Sequence, residues 1–325
     1  MSLPHWLLPT WNSLAASLVH RRLHHALLIA GPVGLGKLDL ARALVASALC
    51  ERRREDLFAC GSCRSCQLLA AGSHPDRVHV TFLPRPKPNE DKLRTELIVD
   101  QIRELSQRLS LASQFGGLQL TLIEPAEALN ENAANALLKT LEEPTAASVI
   151  ILVCNDASRL PATIRSRCQR IDIAVPSREL ALDWLSGQSV DKARAEAALD
   201  IVQGNPGAAK QLIMDGGLDL REQCEHDLGA LADGRSGALS IADRWAADRP
   251  QQRVWLAAIL ARDEARRLGC GEAGRFGLTR TSEIPKLAAW FGHANRVRRL
   301  LDTPQLRSDL LLLNLLRDWP ASSRH

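Results

Sequence analysis

Several things are scarce or missing in this chain of 325 residues. Tyrosine does not occur at all, which by itself carries no functional conclusion. No run of apolar residues approaches the roughly 20 needed to cross a bilayer; the densest, Leu310 to Leu316, is far too short, so no membrane span is expected. The opening MSLPHWLLPTW lacks the basic start and long apolar stretch of a secretory signal, which leads us to expect a cytoplasmic location. Low-complexity segments are missing. Strong charge of either sign is missing too: the net charge of +4 permits contact with nucleic acid without arguing for it. Nothing resembles a nucleotidyl-transfer site with paired metal-binding aspartates.

What remains is an ordinary globular composition, long enough for two or three domains. The first half alternates strand-like and helix-like segments. Strands are expected at His25–Ala30, Arg77–Leu83, Leu118–Glu124, Ser148–Cys154 and Gln169–Val175. Between them lie helical patterns. One is expected to be capped by Asp100, with Ile102, Leu105 and Leu109 on one face; another runs from Asn130 to Leu141 and is stopped by Glu143-Pro144. Nearly continuous apolar strands separated by helices indicate a parallel sheet covered on both faces. Pro84 to Lys92, rich in proline and charge, is expected to be a surface loop. After Pro176 the strand signals stop. Three short helical segments follow, broken near Gly187 and at Gly204-Asn205-Pro206, and then longer ones that include Val254–Leu268 and Ile284–Leu301. The expected organisation is an α/β domain over residues 1–174, a small helical lid over 175–214 and an all-α C-terminal domain over 215–325.

Gly31-Pro32-Val33-Gly34-Leu35-Gly36-Lys37-Leu38 follows the first strand and opens a helix, the context that a phosphate-binding loop requires. Gly31, Gly34 and Gly36 let backbone N–H groups approach phosphates, and Lys37 would reach the terminal ones. The bland alternative is a glycine-rich turn with a surface lysine. Two features depart from a working ATPase. Position 38 normally supplies a hydroxyl to Mg²⁺, and leucine has none to give. The strand end that should carry an acidic pair reads Glu124-Pro125, so the group that would orient the attacking water is missing. Phosphoryl transfer depends on positioning and charge, so little hydrolysis is expected. Weak nucleotide binding stays open.

Four of the eight cysteines crowd into C-x9-C-x2-C-x2-C: Cys50, Cys60, Cys63 and Cys66. Consecutive C-x2-C steps place thiolates around a tight turn that suits tetrahedral zinc, and a closed four-cysteine site is structural. His74 is a competing fourth ligand, an iron–sulfur cluster a further option, and four reduced thiols without metal the plain alternative. Arg52, Arg53 and Arg54 beside the cluster could touch a phosphate backbone, although a solvated charged loop accounts for them as well.

Asn135-Ala136-Leu137-Leu138-Lys139-Thr140-Leu141-Glu142-Glu143-Pro144 and the segment Leu160 to Cys168, with its Ser166-Arg167-Cys168, resemble two motifs of the bacterial clamp-loader AAA+ family. The cysteine insertion followed by Gly72-Ser73-His74-Pro75-Asp76 is similar to the same family, as is Gly204 to Ala209 to its lid segment. The resemblance covers about the first two-thirds of the chain. It implies an AAA+ RecA-like domain with a zinc insertion at about 50–76, a three-helix lid and a helical collar domain. Leu38, Glu124-Pro125, and Pro206-Gly207 at the place of a nucleotide-sensing lid arginine point away from the gamma and tau motor subunits and toward a non-hydrolysing member. The resemblance further implies that Arg167, positioned by Ser166 and a buried Cys168, is a trans arginine finger for a neighbouring ATPase. Gamma/tau and delta subunits are the implied partners, with the sliding clamp and primed DNA met through the assembly. An active gamma-type motor and a zinc-dependent DNA-binding module are the competing readings.

Overall fold

The computed structural model describes residues 3–85, 92–145, 147–279, 281–303 and 305–320. They divide into two compact units, one comprising Met1–Val190 with Val202–Ala208, the other Asp191–Ile201 with Ala209–His325. The lid expected from the sequence is thus shared between the two units.

The first unit is built on a parallel five-stranded sheet. In chain order its elements are α1 (Leu8–Val19), β1 (Ala26–Ala30), α2 (Lys37–Leu49), α3 (Arg64–Ala70), β2 (Arg77–Val80), α4 (Val99–Leu109), β3 (Gln119–Ile123), α5 (Glu131–Glu142), β4 (Ser148–Cys154), α6 (Ala162–Arg165), β5 (Gln169–Asp172) and α7 (Arg178–Ser186). The strand order is β2-β3-β4-β1-β5. The apolar segment ALLIA and the nearly apolar SVIILVC become the adjacent central strands β1 and β4, buried at every position. Each face of the sheet carries its own core. Leu27, Ile29, Leu122 and Ile151 pack under α1 and α2. Leu28, Leu152 and Ile123 pack against Ile102, Leu105, Leu137 and Leu141 of α4 and α5. A sheet covered in this way is the α/β arrangement that the apolar strands predicted.

Three expectations are corrected. The strand expected through Leu83 ends at Val80, because the Thr81 carbonyl accepts the Gln101 side chain (2.8 Å) in place of a ladder bond. The strand expected through Val175 ends at Asp172; the Ile173 N–H still donates to the Ala30 carbonyl (2.7 Å). Asp100 lies exposed inside the first turn of α4, and the N-cap is Ile98, whose N–H is taken by the Gln101 side chain at 3.1 Å. A capping glutamine three residues into the helix substitutes for the expected aspartate. Asn130 does cap α5, accepting from the Ala133 N–H at 2.9 Å. Of the loop expected over Pro84 to Lys92, residues 86–91 lie outside the described residues; Pro84 pairs with Leu93 across it.

The remaining helices are α8 (Lys192–Ile201), α9 (Pro206–Met214), α10 (Gly217–Ala232), α11 (Ala238–Ala247), α12 (Pro250–Gly269), α13 (Ile284–Leu300) and α14 (Ser308–Arg317). No strand occurs in the second unit among the described residues. Two of its buried tryptophans are tied by their indole N–H groups: Trp245 donates to Asp227 (2.8 Å) and Trp290 to the Leu315 carbonyl (2.8 Å). Glu264 is buried and accepts the N–H groups of Arg275 and Phe276. Among the described residues no helix is long and apolar enough to cross a membrane.

Candidate functional site

The phosphate loop connects β1 to α2, as its sequence required. Gly36 takes φ +80° as the N-cap of α2, and Gly34 takes φ +88° in the loop. The interior of this loop is used by the chain itself. Lys37 is buried, and its Nζ donates to the Pro32 carbonyl (2.7 Å) and to Asn155 Oδ1 (2.9 Å) at the end of β4. Burial holds the Lys37 ammonium below the usual lysine range, opposed by the charges of Cys154 and of Glu127. Glu127 accepts the Asn155 N–H through Oε1 (3.0 Å), while its Oε2 is buried without a hydrogen-bond partner. The cation that should meet a phosphate therefore already has two oxygen acceptors and a carboxylate nearby.

The segment Gly204 to Ala208 closes over the same loop. Asn205 donates from Nδ2 to the Val33 carbonyl (2.7 Å) and accepts the Ala208 N–H at Oδ1 (3.0 Å). A β-carbon on Gly207 would collide with the Gly34 carbonyl oxygen, and one on Gly34 would fall 2.9 Å from the Ala208 nitrogen. Two glycines are needed for the backbones to approach this closely. From the other side, Trp6 donates to the Leu35 carbonyl (3.0 Å). Leu38 packs into the apolar cluster beneath α2. Glu124 accepts from His79 Nε2 (3.1 Å), with Arg42 4.0 Å away; neither group belongs to the phosphate loop.

The cysteine cluster is assembled as its spacing predicted. The Sγ atoms of Cys50, Cys60, Cys63 and Cys66 all lie within 4.8 Å of one another. Cys50–Cys63 and Cys60–Cys66 are each 3.9 Å apart. A tetrahedron of ~2.3 Å metal–sulfur bonds has edges of about 3.8 Å, so the four thiols fit a zinc-sized ion. Backbone N–H groups point at the sulfurs: Cys60 toward Cys50 (3.3 Å), Cys63 toward Cys60 (3.3 Å) and Cys66 toward Cys63 (3.4 Å). Those from Ser62 and Cys63 pull the Cys60 thiol down to about 6. The four cysteines could hold a metal ion.

His74 is not among these ligands. Its Nδ1 accepts the Asp76 N–H (3.1 Å), which places the ring proton on Nε2 facing Ser65 Oγ (2.7 Å). Ser65 in turn donates to the Leu49 carbonyl (2.6 Å), so His74 ties α3 to the end of α2. Burial holds this imidazole below its ordinary pKa. Arg53 and Arg54 serve the module internally, Arg53 donating to the Ser47 carbonyl (2.8 Å) and Arg54 pairing with Asp56.

Arg167 follows the short helix α6. Its Nη1 donates to the Thr163 carbonyl (2.9 Å), and its Nη2 lies 2.6 Å from Glu142 Oε1 at the end of α5. The guanidinium retains about a third of its exposure. Ser166 is exposed and bonds back to the Thr163 carbonyl (3.1 Å). Cys168, expected to be buried, is half-buried: it packs against the α4–α5 core on one side only, because the chain turns outward there into the exposed start of β5. Sequence reasoning had not singled out Asn155 or Glu127, and had read Glu142 and Asn205 only as members of the Asn135–Pro144 and Gly204–Ala209 segments, without contacts of their own. Each is a single polar residue at an element end, with its partner far away in the chain.

A phosphate loop after the first of five parallel strands, with helices on both faces, is the architecture of a P-loop nucleotide-fold protein; here the loop lysine is bonded to the chain's own oxygens. Within that class, residues 8–177 match the family model described as DNA polymerase III, delta subunit, and the chain belongs to that family. It is 38% identical over 242 residues to the DNA polymerase III subunit delta' of Pseudomonas aeruginosa, covering 74% of this chain and 70% of that one. It is 31% identical over 333 residues to the delta' subunit of Yersinia pestis, covering 97% and 94%. A match of 29% over 198 residues reaches a DNA polymerase III subunit gamma from Buchnera aphidicola, covering 59% and 51%. Among solved structures, a gamma-subunit-related protein of Thermotoga maritima aligns with a TM-score of 0.45 and 18% identity, covering 94% of this chain and 97% of that one.

Proposed function

We propose that this chain is the non-hydrolysing, delta-prime-type subunit of a bacterial clamp loader: a stator that lends Arg167 to the ATP site of a neighbouring gamma- or tau-type subunit while the assembly places the sliding clamp on primed DNA. The observation that carries this reading is the state of the phosphate loop. Lys37 is bonded to Pro32 and Asn155, and Gly207 abuts Gly34, where an ATPase would hold nucleotide. Leu38 and Pro125 supply neither a metal ligand nor a base. The family membership and the delta' relatives agree with this. Arg167 stands on a rigid helix end with its guanidinium partly free, and a guanidinium so placed stabilises charge on a transferring phosphoryl group.

On this reading the four cysteines hold a structural Zn²⁺ that stabilises residues 50–76, and the helices of the second unit join a collar with the gamma/tau and delta subunits in the cytoplasm. The test has two arms. The purified chain alone should show no Mg²⁺-dependent ATP hydrolysis that depends on Lys37, and it should co-purify with a gamma-type partner. Vigorous hydrolysis abolished by Lys37→Ala would instead establish the motor reading.

A further inference from the structure

Arg77 and His79 alternate along β2, an outer strand of the sheet, and so share a face; α2 and the cysteine module pack on that same side. Between them lies a cavity of about 460 Å³. Val45, Ala59, Leu69 and Leu122 give it apolar walls, and Arg42 and Arg77 both reach it. The charges do not balance. Among the described residues the carboxylate paired here is Glu124, engaged by His79 at 3.1 Å with Arg42 at 4.0 Å. Arg77 is half-buried, and its guanidinium makes no hydrogen bond or ion pair among the described residues, although its backbone N–H donates to the His74 carbonyl (3.2 Å). A half-buried guanidinium between apolar walls, with its donors uncommitted, is a strong partner for a carboxylate.

We propose that this cleft is a docking site for a partner protein's segment that carries a carboxylate next to an aliphatic or aromatic side chain. The carboxylate meets Arg77, in the bidentate geometry that a guanidinium offers, with Arg42 at the rim. The apolar side chain fills the space between Val45, Ala59 and Leu69. A nucleic-acid strand fits less well: its phosphates are flanked by sugars, and a second phosphate would face Glu124. The site is separate from Arg167 and from the phosphate loop, so it stands whether or not the stator reading does.

The test is selection of a random heptapeptide phage library on the metal-loaded full-length protein, with counter-selection on Arg77→Gln. The peptides expected to survive pair Asp, Glu or a free C-terminus with Leu, Ile or Phe. By fluorescence anisotropy they should bind Arg77→Gln at least ~10-fold more weakly than the parent, and Ala46→Phe, which narrows the cleft, should weaken them too. Arg77→Gln should keep its metal content and melt no lower than the parent, since it removes an unpartnered charge. The proposal is overturned if no peptide survives counter-selection, if survivors lack a carboxylate, or if a 5′-phosphorylated single-stranded oligonucleotide binds through Arg77 in their place.

Discussion

The Arg167 guanidinium rests 2.6 Å from the Glu142 carboxylate, joining the last residue of α5 to the turn after α6. This pair brings together the two sequence motifs of the first unit that lie 25 positions apart, Leu141-Glu142-Glu143-Pro144 and Ser166-Arg167-Cys168. Both side chains are partly exposed, so the pair contributes about 0–1 kcal/mol. A bond this weak holds the guanidinium in place; on the proposed stator reading it would yield to a neighbouring subunit's triphosphate.

Arg167→Ala should therefore fold normally, with stability changed by no more than ~1 kcal/mol. In a reconstituted loader it should lower DNA-stimulated turnover at the adjoining ATP site by ~10³-fold or more, together with clamp loading. Unchanged ATPase in the assembled complex would remove the finger role. Glu142→Gln should keep the activity, because it retains the shape of α5 while releasing the arginine.

Metal analysis of the purified chain should find about one zinc, lost in Cys63→Ser. Structural zinc sites in small peptides contribute ~10–16 kcal/mol of apparent binding energy. Chelation should raise amide exchange across residues 50–76 while β1 and β4, buried on both faces, stay protected. Uniform exchange throughout the first unit would contradict a local role.

Gly207→Ala tests the closed phosphate loop. The added methyl must displace the Gly34 carbonyl, and overpacking of this kind costs ~1–3 kcal/mol. Urea denaturation should register that loss. A variant as stable as the parent would mean that the two backbones part readily.

Burial depresses the His74 pKa, and the sign of the pH effect follows. Below about 6.5 the unfolded chain binds a proton that the folded one refuses, so the His74 contribution makes folding less favourable as pH falls through that value. Between pH 7.5 and 5.5 the parent should lose more stability than His74→Gln, measured by denaturant midpoints with zinc in excess. Equal losses would show that the imidazole takes up its proton in place.

Much of the fold was legible because it rests on periodicity. The central strands β1, β3 and β4 announced themselves as short apolar runs, and α5 by Leu137 and Leu141 at helical spacing. The cysteine site was legible from spacing alone. Strand ends were misjudged where a side chain took over a backbone partner, as Gln101 does at Thr81. The interior of the phosphate loop was not legible. Lys37, Asn155 and Asn205 meet only after the sheet has ordered β1 beside β4 and brought residue 205 to residue 33. No local pattern records such a meeting. For the same reason the sequence left open whether His74 or Cys50 completes the cysteine set; the fold puts Cys50 among the four thiols and bonds the His74 ring to Ser65.

The helix α2 begins at Lys37 and ends one residue before Cys50, a rod of roughly 20 Å with the self-occupied loop at one tip and the thiol cluster at the other. An oxidant or a thiophilic heavy metal that attacks the cysteines would loosen the far tip of the same rod that fixes the lysine. Chemical stress on the cysteine cluster should thus be felt as slackness at the phosphate loop, the whole length of the helix away.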